Sequence, residues 1–479
     1  MTSADRLELA SEFPAATADQ WRALVGGVLR KSGIETDDVE AVLASATYDG
    51  FDLKPLYTAE DTASPAGFPG LPPFVRGGTP DGRVLGGWDV RQRHADPDPA
   101  RTRQAILADL ENGATSVWLV AGTAGLPVDA IGDVLADVYL DLAPVTLDAG
   151  DQTAAAATAL LAAHADKGVQ ASEIRGNLGA DPIGLRARTG TATDLDGAVA
   201  LARDTARRHP RLRALVADGL PYHDAGASDG QELGYAVATG VAYLRALTDA
   251  GLDVDTAAGL LEFRLAATVD QFATIAKFRA ARRLWARVTE VCGAATRSAP
   301  QHAVTSSTMM TRRDPWVNML RTTVACFAAG VGGADAVTVQ PFDAAIGLPD
   351  GFARRIARNT QSILVEESKV AGVLDPAGGS WYLERHTDDL AHAAWAVFTG
   401  VERAGGIVAA LDSGLVDERI TATRDARTAR LAEGAEAITG VTAFPNEHEK
   451  PLERPPAPPQ PGGGLPRIRY AEPFEEAHR

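Results

Sequence analysis

The sequence predicts an α/β protein built on a (β/α)8 TIM barrel, with an N-terminal arm and a C-terminal helical and extended linker segment. Two observations carry that prediction. Short runs rich in β-branched residues alternate with long amphipathic stretches between about residues 87 and 370, and there are eight such runs. Strands separated by helix-length segments pair in parallel, because a parallel pair needs a crossover. Eight units of this kind close on themselves better than they extend an open sheet.

Taken in order, residues 1–86 open with a helical period, "ATADQWRALVGGVLRKSG", and continue as a Pro/Gly-rich arm through "KPLYTAEDT" and "GFPGLPPFVRGG". The barrel is expected over 87–370. Its candidate strands are "GWDVRQRH" (87–94), "TSVWLVA" (115–121), "APVTLDAG" (143–150), "VQASEIRGN" (169–177), "LRALVADG" (212–219), "EFRLAAT" (262–268), "HAVTSST" (302–308) and "AVTVQPFD" (336–343). After Asp229, the residues Leu233, Val237, Val241, Leu244 and Leu247 recur every three or four positions and form one apolar stripe. Asn112–Gly113 and Gly293 read as helix stops. Residues 371–440 read as a helical extension. Residues 441–479 hold "PLERPPAPPQPGGGLP", an extended linker or wrapping arm without a core of its own.

The 479 residues are 45% apolar and 6% aromatic, ordinary for a globular core. A net charge of −17 argues against nucleic acid and anionic membrane surfaces as partners. Cys292 and Cys326 fall in helical patterns without metal-ligand spacing, and two buried thiols in a reducing cytoplasm are expected. The charged start "MTSADRLELASEF" is not expected to be a signal peptide, and no run of 18 apolar residues is present.

Barrels of this kind carry their chemistry at the carboxyl ends of the strands. The residues there are Arg91–His94, Asp148, Arg175–Asn177, Asp218–Asp224, Thr268, Thr305–Thr308 and Gln340–Asp343. Asp148, Asp218, Asp224 and Asp343 could ligate a divalent metal, but satisfying loop amides and helix N-termini is the simpler role, and no metal site is expected. P-loop, C-x-x-C, H-E-x-x-H and G-x-S-x-G patterns are absent, and "AGTAGLP" (121–127) is a weak dinucleotide signal. None of the nine histidines fits Asp-x-His-x-x-Gly, the loop that gives a histidine to cobalt in one class of cobalamin-binding domain; Pro221 stands where the aspartate would precede His223. "GLPYHDAGA" (219–227) pairs Tyr222 with His223 in what reads as an active-site loop.

Several stretches carry a resemblance. "FDLKPLYTAEDT" (51–62), "GWDVRQR" (87–93), "AKFRAARRLWARV" (276–288), "RRIARNTQSILVEES" (354–368) and "LDPAGGSWYLE" (374–384) resemble the adenosylcobalamin-dependent acyl-CoA mutases, methylmalonyl-CoA mutase in particular. "PGLPPFVRGG…GGWDVRQRH" and "LPRIRYAEPFEEA" resemble the small (β) subunit of the heterodimeric bacterial enzyme. The resemblance implies a barrel whose axis is threaded by an acyl-CoA, an arm that wraps a partner subunit, and radical isomerisation of (R)-methylmalonyl-CoA and succinyl-CoA. It also implies departures at the site. Anchored on Gly219 and Asp224–Ala227, the family's Tyr-His pair falls on Leu220 and Pro221, with Tyr222–His223 two residues late, about 6.6 Å along an extended chain. The tyrosine of the family's R-Q-Y is Arg93, and a strand-four glutamine is replaced by Arg175. Arg91 is kept, near the path expected for CoA.

The resemblance therefore implies a chain whose own site is retired, with no catalytic residue and no bound cofactor, supporting a catalytic α (large) subunit that binds adenosylcobalamin. The cobalamin-binding domain that follows the linker in small subunits is expected to be missing here, through a short gene product or a truncated chain. One alternative is an active mutase for another acyl-CoA, using Tyr222 and His223 with a cobalamin domain on a separate chain. Another is a stand-alone scaffold or binding protein.

Overall fold

The computed structural model describes residues 13–476, apart from Ala15, Thr193, Thr296 and Arg297. The N-terminal stretch considered as a leader lies, but for Phe13, outside the described residues. Eight parallel strands close into a barrel: β1 (Asp89–His94), β2 (Ser116–Val120), β3 (Val145–Asp148), β4 (Gly176–Ala180), β5 (Leu212–Asp218), β6 (Leu261–Ala267), β7 (Gln301–Thr305) and β8 (Ala336–Thr338). β8 pairs with both β7 and β1, so the barrel itself has no open strand edge.

Five of the eight strands lie within the predicted runs, β6 and β7 start one residue earlier than theirs, and β4 is the correction. It begins at Gly176, where the predicted "VQASEIRGN" run ends. Its "GNLGA" has no β-branched residue, and glycines take the places where the chain presses on β3. A Cβ at Gly176 would lie 2.0 Å from the Val145 carbonyl oxygen, and one at Gly179 would lie 1.9 Å from that of Leu147. Both glycines have positive φ, 123° and 72°. Propensity points to the wrong segment because close backbone approach, not β-branching, specifies this strand.

The helical layer is fixed by caps and stripes. Helix α1 (Ala18–Lys31) starts at a Thr17/Gln20 capping box. Helix α2 (Asp229–Asp249) starts at a Ser228/Gln231 capping box, and its predicted stripe is buried. Its opposite side is covered by helix α4 (Trp381–Arg403), which closes to within reach because Gly234 leaves Val397 room; a Cβ there would sit 2.6 Å from Val397 Cγ1. Beside both packs α3 (Gln271–Val291), whose buried Arg279 holds α4 through Glu384 at 2.8 Å and Thr387 at 2.9 Å. Gly293, with φ 81°, follows the end of α3 as a helix stop. Cys326 is buried as expected; Cys292 is exposed, because it caps α3 at its solvent end. No described helix is long and apolar enough to cross a membrane.

Both terminal segments are tied to the barrel. In the arm, Arg282 of α3 donates to the carbonyls of Phe74 and Val75 at 3.0 and 2.8 Å. The proline-rich tail crosses the carboxyl ends of the strands. Its Pro455 carbonyl accepts from Leu348 N at 2.8 Å, while Leu465 N donates to Ala187 O at 2.7 Å and Ile468 N to Asp224 O at 2.8 Å.

Candidate functional site

A cavity of about 890 Å³ sits at the carboxyl ends of the strands, within the size range of small-molecule sites. Strand ends supply Arg93, Asp148, Asp218, Thr305 and Gln340 to its wall, and the tail supplies a roof from Pro455 to Arg467. Below the cavity, the barrel axis is filled. Trp118 projects from β2 and meets Arg264 and Ala266 of β6 and His302 and Val304 of β7, on the far side of the barrel. The Arg264 guanidinium lies 4.3 Å from the Trp118 ring centroid, a cation–π contact. One layer lower, Arg91 Nη1 donates to Glu262 at 2.8 Å, and His302 Nε2 is 2.8 Å from Thr338 Oγ1. One layer higher, Asp218 accepts from Arg188 at 2.8 Å and from Arg264 at 3.2 Å. A tryptophan, two arginines, a glutamate and a histidine thus occupy the core of the barrel from wall to wall.

The candidate residues separate clearly. Arg93 lines the cavity and lies 5.2 Å from the Trp118 ring, with no hydrogen bond or ion pair among the described residues. Leu220 also lines the cavity and packs on Trp118 and Val304. Residues 220–223 form one helical turn, so the two-residue displacement of Tyr222–His223 is not the extended step of the sequence analysis. It is a rotation of roughly 200° with a rise of about 3 Å, which turns both rings away from the cavity. Tyr222 is fully buried, 3.3 Å from Thr239 Oγ1 and packed on Tyr235. His223 is 3% exposed, with Nε2 2.7 Å from Ser306 Oγ and Nδ1 3.4 Å from Glu232. Pro221 is buried beside them.

Two placements are corrected. Arg175 precedes β4 at its amino end, where it donates to the Asp141 carbonyl at 2.7 Å, so it lies at the opposite face of the barrel from the cavity. The register error in β4 explains this: the residues reaching the cavity from that strand and its loop are Gly179 and Asp181. Arg91 is a layer below the cavity, consumed by Glu262 and by Asp89 at 3.2 Å. Among the acidic rim residues, Asp148 and Asp218 face Arg264, Asp224 accepts from Ser307 at 2.6 Å and Asp343 pairs with Arg454 at 2.5 Å. The described residues contain no cluster of three or more His, Cys, Asp or Glu side chains suited to a metal.

Sequence reasoning missed Trp118, Asp181, Arg188, Arg264 and Arg467. One signal was present: Glu262 and Arg264 are charges two apart inside a strand, so they share its inner face. The electrostatics follow from burial. Desolvation draws the Arg93 guanidinium down to about 10 despite Asp148, with Arg467, Arg264 and Arg188 acting in the same direction. Burial, then the charge of Asp218, pushes the Asp181 carboxyl up to about 7. Burial works to raise Asp148, but Arg264, Arg188 and Arg93 together hold it below its usual range.

The chain matches the family described as methylmalonyl-CoA mutase over residues 46–121 and 119–460. It is 61% identical to the methylmalonyl-CoA mutase small subunit of Streptomyces virginiae, over 98% of this chain and 77% of that one. It is 46% identical to a probable methylmalonyl-CoA mutase small subunit of Mycobacterium bovis, over 95% of this chain and 75% of that one. Identity to the Streptomyces virginiae large subunit is 31%, over 92% of this chain and 64% of that one.

Proposed function

This chain belongs to the methylmalonyl-CoA mutase family, and from that premise we propose that it is a small (β) subunit that performs no chemistry itself and supports a separate catalytic large subunit. The reaction assigned to the assembly is the isomerisation of (R)-methylmalonyl-CoA and succinyl-CoA, an intramolecular group transfer carried out in the partner.

The observation that carries the reading is the filled axis. An acyl-CoA that threads a barrel needs an open channel, and here Trp118, stacked under Arg264, bridges from β2 to β6 and β7. The site above it supports the same conclusion. Leu220, which the resemblance aligns with the family's tyrosine, lines the cavity, and neither Leu220 nor Pro221 carries a proton to donate. The loss of such a general acid costs about 10²–10⁴ in rate.

Adenosylcobalamin supplies the radical chemistry in this family. The residues at the mouth do not fit it: the chain's own tail covers the cavity, and Arg93 brings an unpaired charge to a surface that would face a corrin. No step is therefore assigned to this chain through that cofactor, and its binding is assigned to the partner. The exposed apolar side chains of the arm, Phe68, Leu71 and Leu85, are assigned to the subunit contact.

The test is reconstitution with the neighbouring large subunit and adenosylcobalamin. This chain alone should show no turnover, and the pair should be active. His223→Ala in this chain should leave the kcat of the assembled pair unchanged. If that substitution abolished turnover while the pair stayed assembled, the alternative, an active site built on Tyr222 and His223, would replace this reading.

A further inference from the structure

The cavity at the barrel mouth retains features that a space-filling subunit does not need. Arg93 projects into it with no hydrogen bond or close ion pair among the described residues, and Asp148 acts on its charge only at longer range. Arg467 reaches it from the tail, with the neutral Gln460 amide oxygen, at 3.1 Å, as its hydrogen-bond partner. Several polar atoms around it are buried and unpaired: Nε of Arg188, Nε and Nη2 of Arg264, and Oδ2 of Asp181. In native structures buried polar groups of this kind are paired with protein, water or ligand, so these atoms offer donors and an acceptor to whatever fills the cavity. An apolar side chain in place of Arg93 would pack on Trp118 without desolvating a charge, so keeping the guanidinium costs stability that a ligand would return.

We propose that this cavity binds a small organic dianion, a phosphate monoester or a dicarboxylate, with its charged end between Arg93 and Arg467. Forked guanidinium donors match both acid types and bind them as pairs of charge-assisted hydrogen bonds. The volume of about 890 Å³ leaves room for an organic body beyond the acid group, and the neighbouring Leu185, Leu348 and Pro458 offer it apolar contact. Around neutral pH the Asp181 carboxyl, raised to about 7 by burial and by Asp218, opposes such an anion less than an ionised acid would.

The site also links a ligand to the tail. Arg467 lies between Leu465 and Ile468, whose amides donate to barrel carbonyls, so a dianion bridging Arg93 and Arg467 clamps the tail onto the mouth. The site is thus a sensor of an anion, and its output is the attachment of the tail.

The test uses the full chain, free and assembled with the large subunit, titrated by calorimetry at constant ionic strength. The probes are adenosine 5′-monophosphate, a four-carbon dicarboxylate, inorganic phosphate and a monocarboxylate of matched length. At least one organic dianion should bind with 1:1 stoichiometry, better than the monocarboxylate, and slow amide exchange at Leu465 and Ile468. The relative affinities of the first two distinguish a phosphate ester from a dicarboxylate. Arg93→Met and Arg467→Met should each weaken binding roughly tenfold or more, the loss of a hydrogen-bonded charge. Arg93→Met should also raise the melting temperature of the ligand-free chain, which an arginine kept for structure would not do. The proposal fails if no organic dianion binds more tightly than the monocarboxylate, if binding survives Arg93→Met, or if that variant melts lower than the parent.

Discussion

At the scale of the residue, the barrel is held by charges taken out of water and paired. Lys277 is fully buried, and its ammonium donates to Asp229 and to Glu232, both at 2.7 Å. Burial alone would lower its pKa, but the two carboxylates raise it above its ordinary value. Glu232 in turn accepts from the Ala266 amide at 2.6 Å, so one carboxylate connects α2, α3 and β6. Lys277→Met keeps the stem and strands two acids. It is expected to lose about 3–5 kcal/mol of stability, the range for breaking a buried pair. Urea denaturation measures it, and adding Glu232→Gln should cost less than the sum of the single changes, because the two share a network. This network shows what the sequence can and cannot disclose. A lysine in an amphipathic run looks like a solvated charge until the helix on its far side is placed. In the same way, "SVWLV" is buried at every position, as parallel strands are, so nothing in its pattern says that Trp118 points to the axis and Leu119 to the helices.

At the scale of the element, the arm is joined to the barrel's helices by a titratable contact. Asp49 accepts from Ser228 Oγ at 2.5 Å and from Gly230 N at 3.0 Å, at the capped start of α2. Burial, reinforced by the charge of Asp229, pushes the Asp49 carboxyl up to about 6. In an unfolded chain it titrates near 4. Between those values the folded state holds more protons than the unfolded one, so this contribution to stability is present below about pH 4 and is lost as pH rises to about 6. Asp49→Asn keeps an oxygen for both donors and removes the titration. The variant should gain stability relative to the parent as pH rises from 4.5 to 7, by up to about 3 kcal/mol for a two-unit shift; denaturation midpoints at the two pH values measure this. Such arm contacts were not legible, because the pairing of residue 49 with residue 228 depends on tertiary placement. The elements themselves were legible where a local rule set them, as with the apolar stripe of α2. β4 was not, because its glycines answer to the β3 backbone and not to their own propensity.

At the scale of the whole molecule, the proposed role of support without chemistry acts through the surface the chain holds in place, and that contribution is a matter of mass action. A partner that binds only the folded chain shares its stability, so any substitution that unfolds this chain lowers the fraction of assembled pairs. The tail offers a place to test this away from the barrel's core. Arg454 pairs with Asp343, whose side chain is fully buried, and it also reaches Asp350 at 2.8 Å. Arg454→Met strands Asp343 and loosens the tail, with an expected cost of roughly 1–3 kcal/mol for an unsatisfied buried group. If this chain acts only by support, total activity should fall in proportion to the assembled fraction seen by size-exclusion chromatography. The kcat per intact pair should stay at the parent value. A drop in kcat within fully assembled pairs would mean that the tail, or the cavity it covers, reaches into the partner's reaction, and support alone would no longer describe what this barrel does.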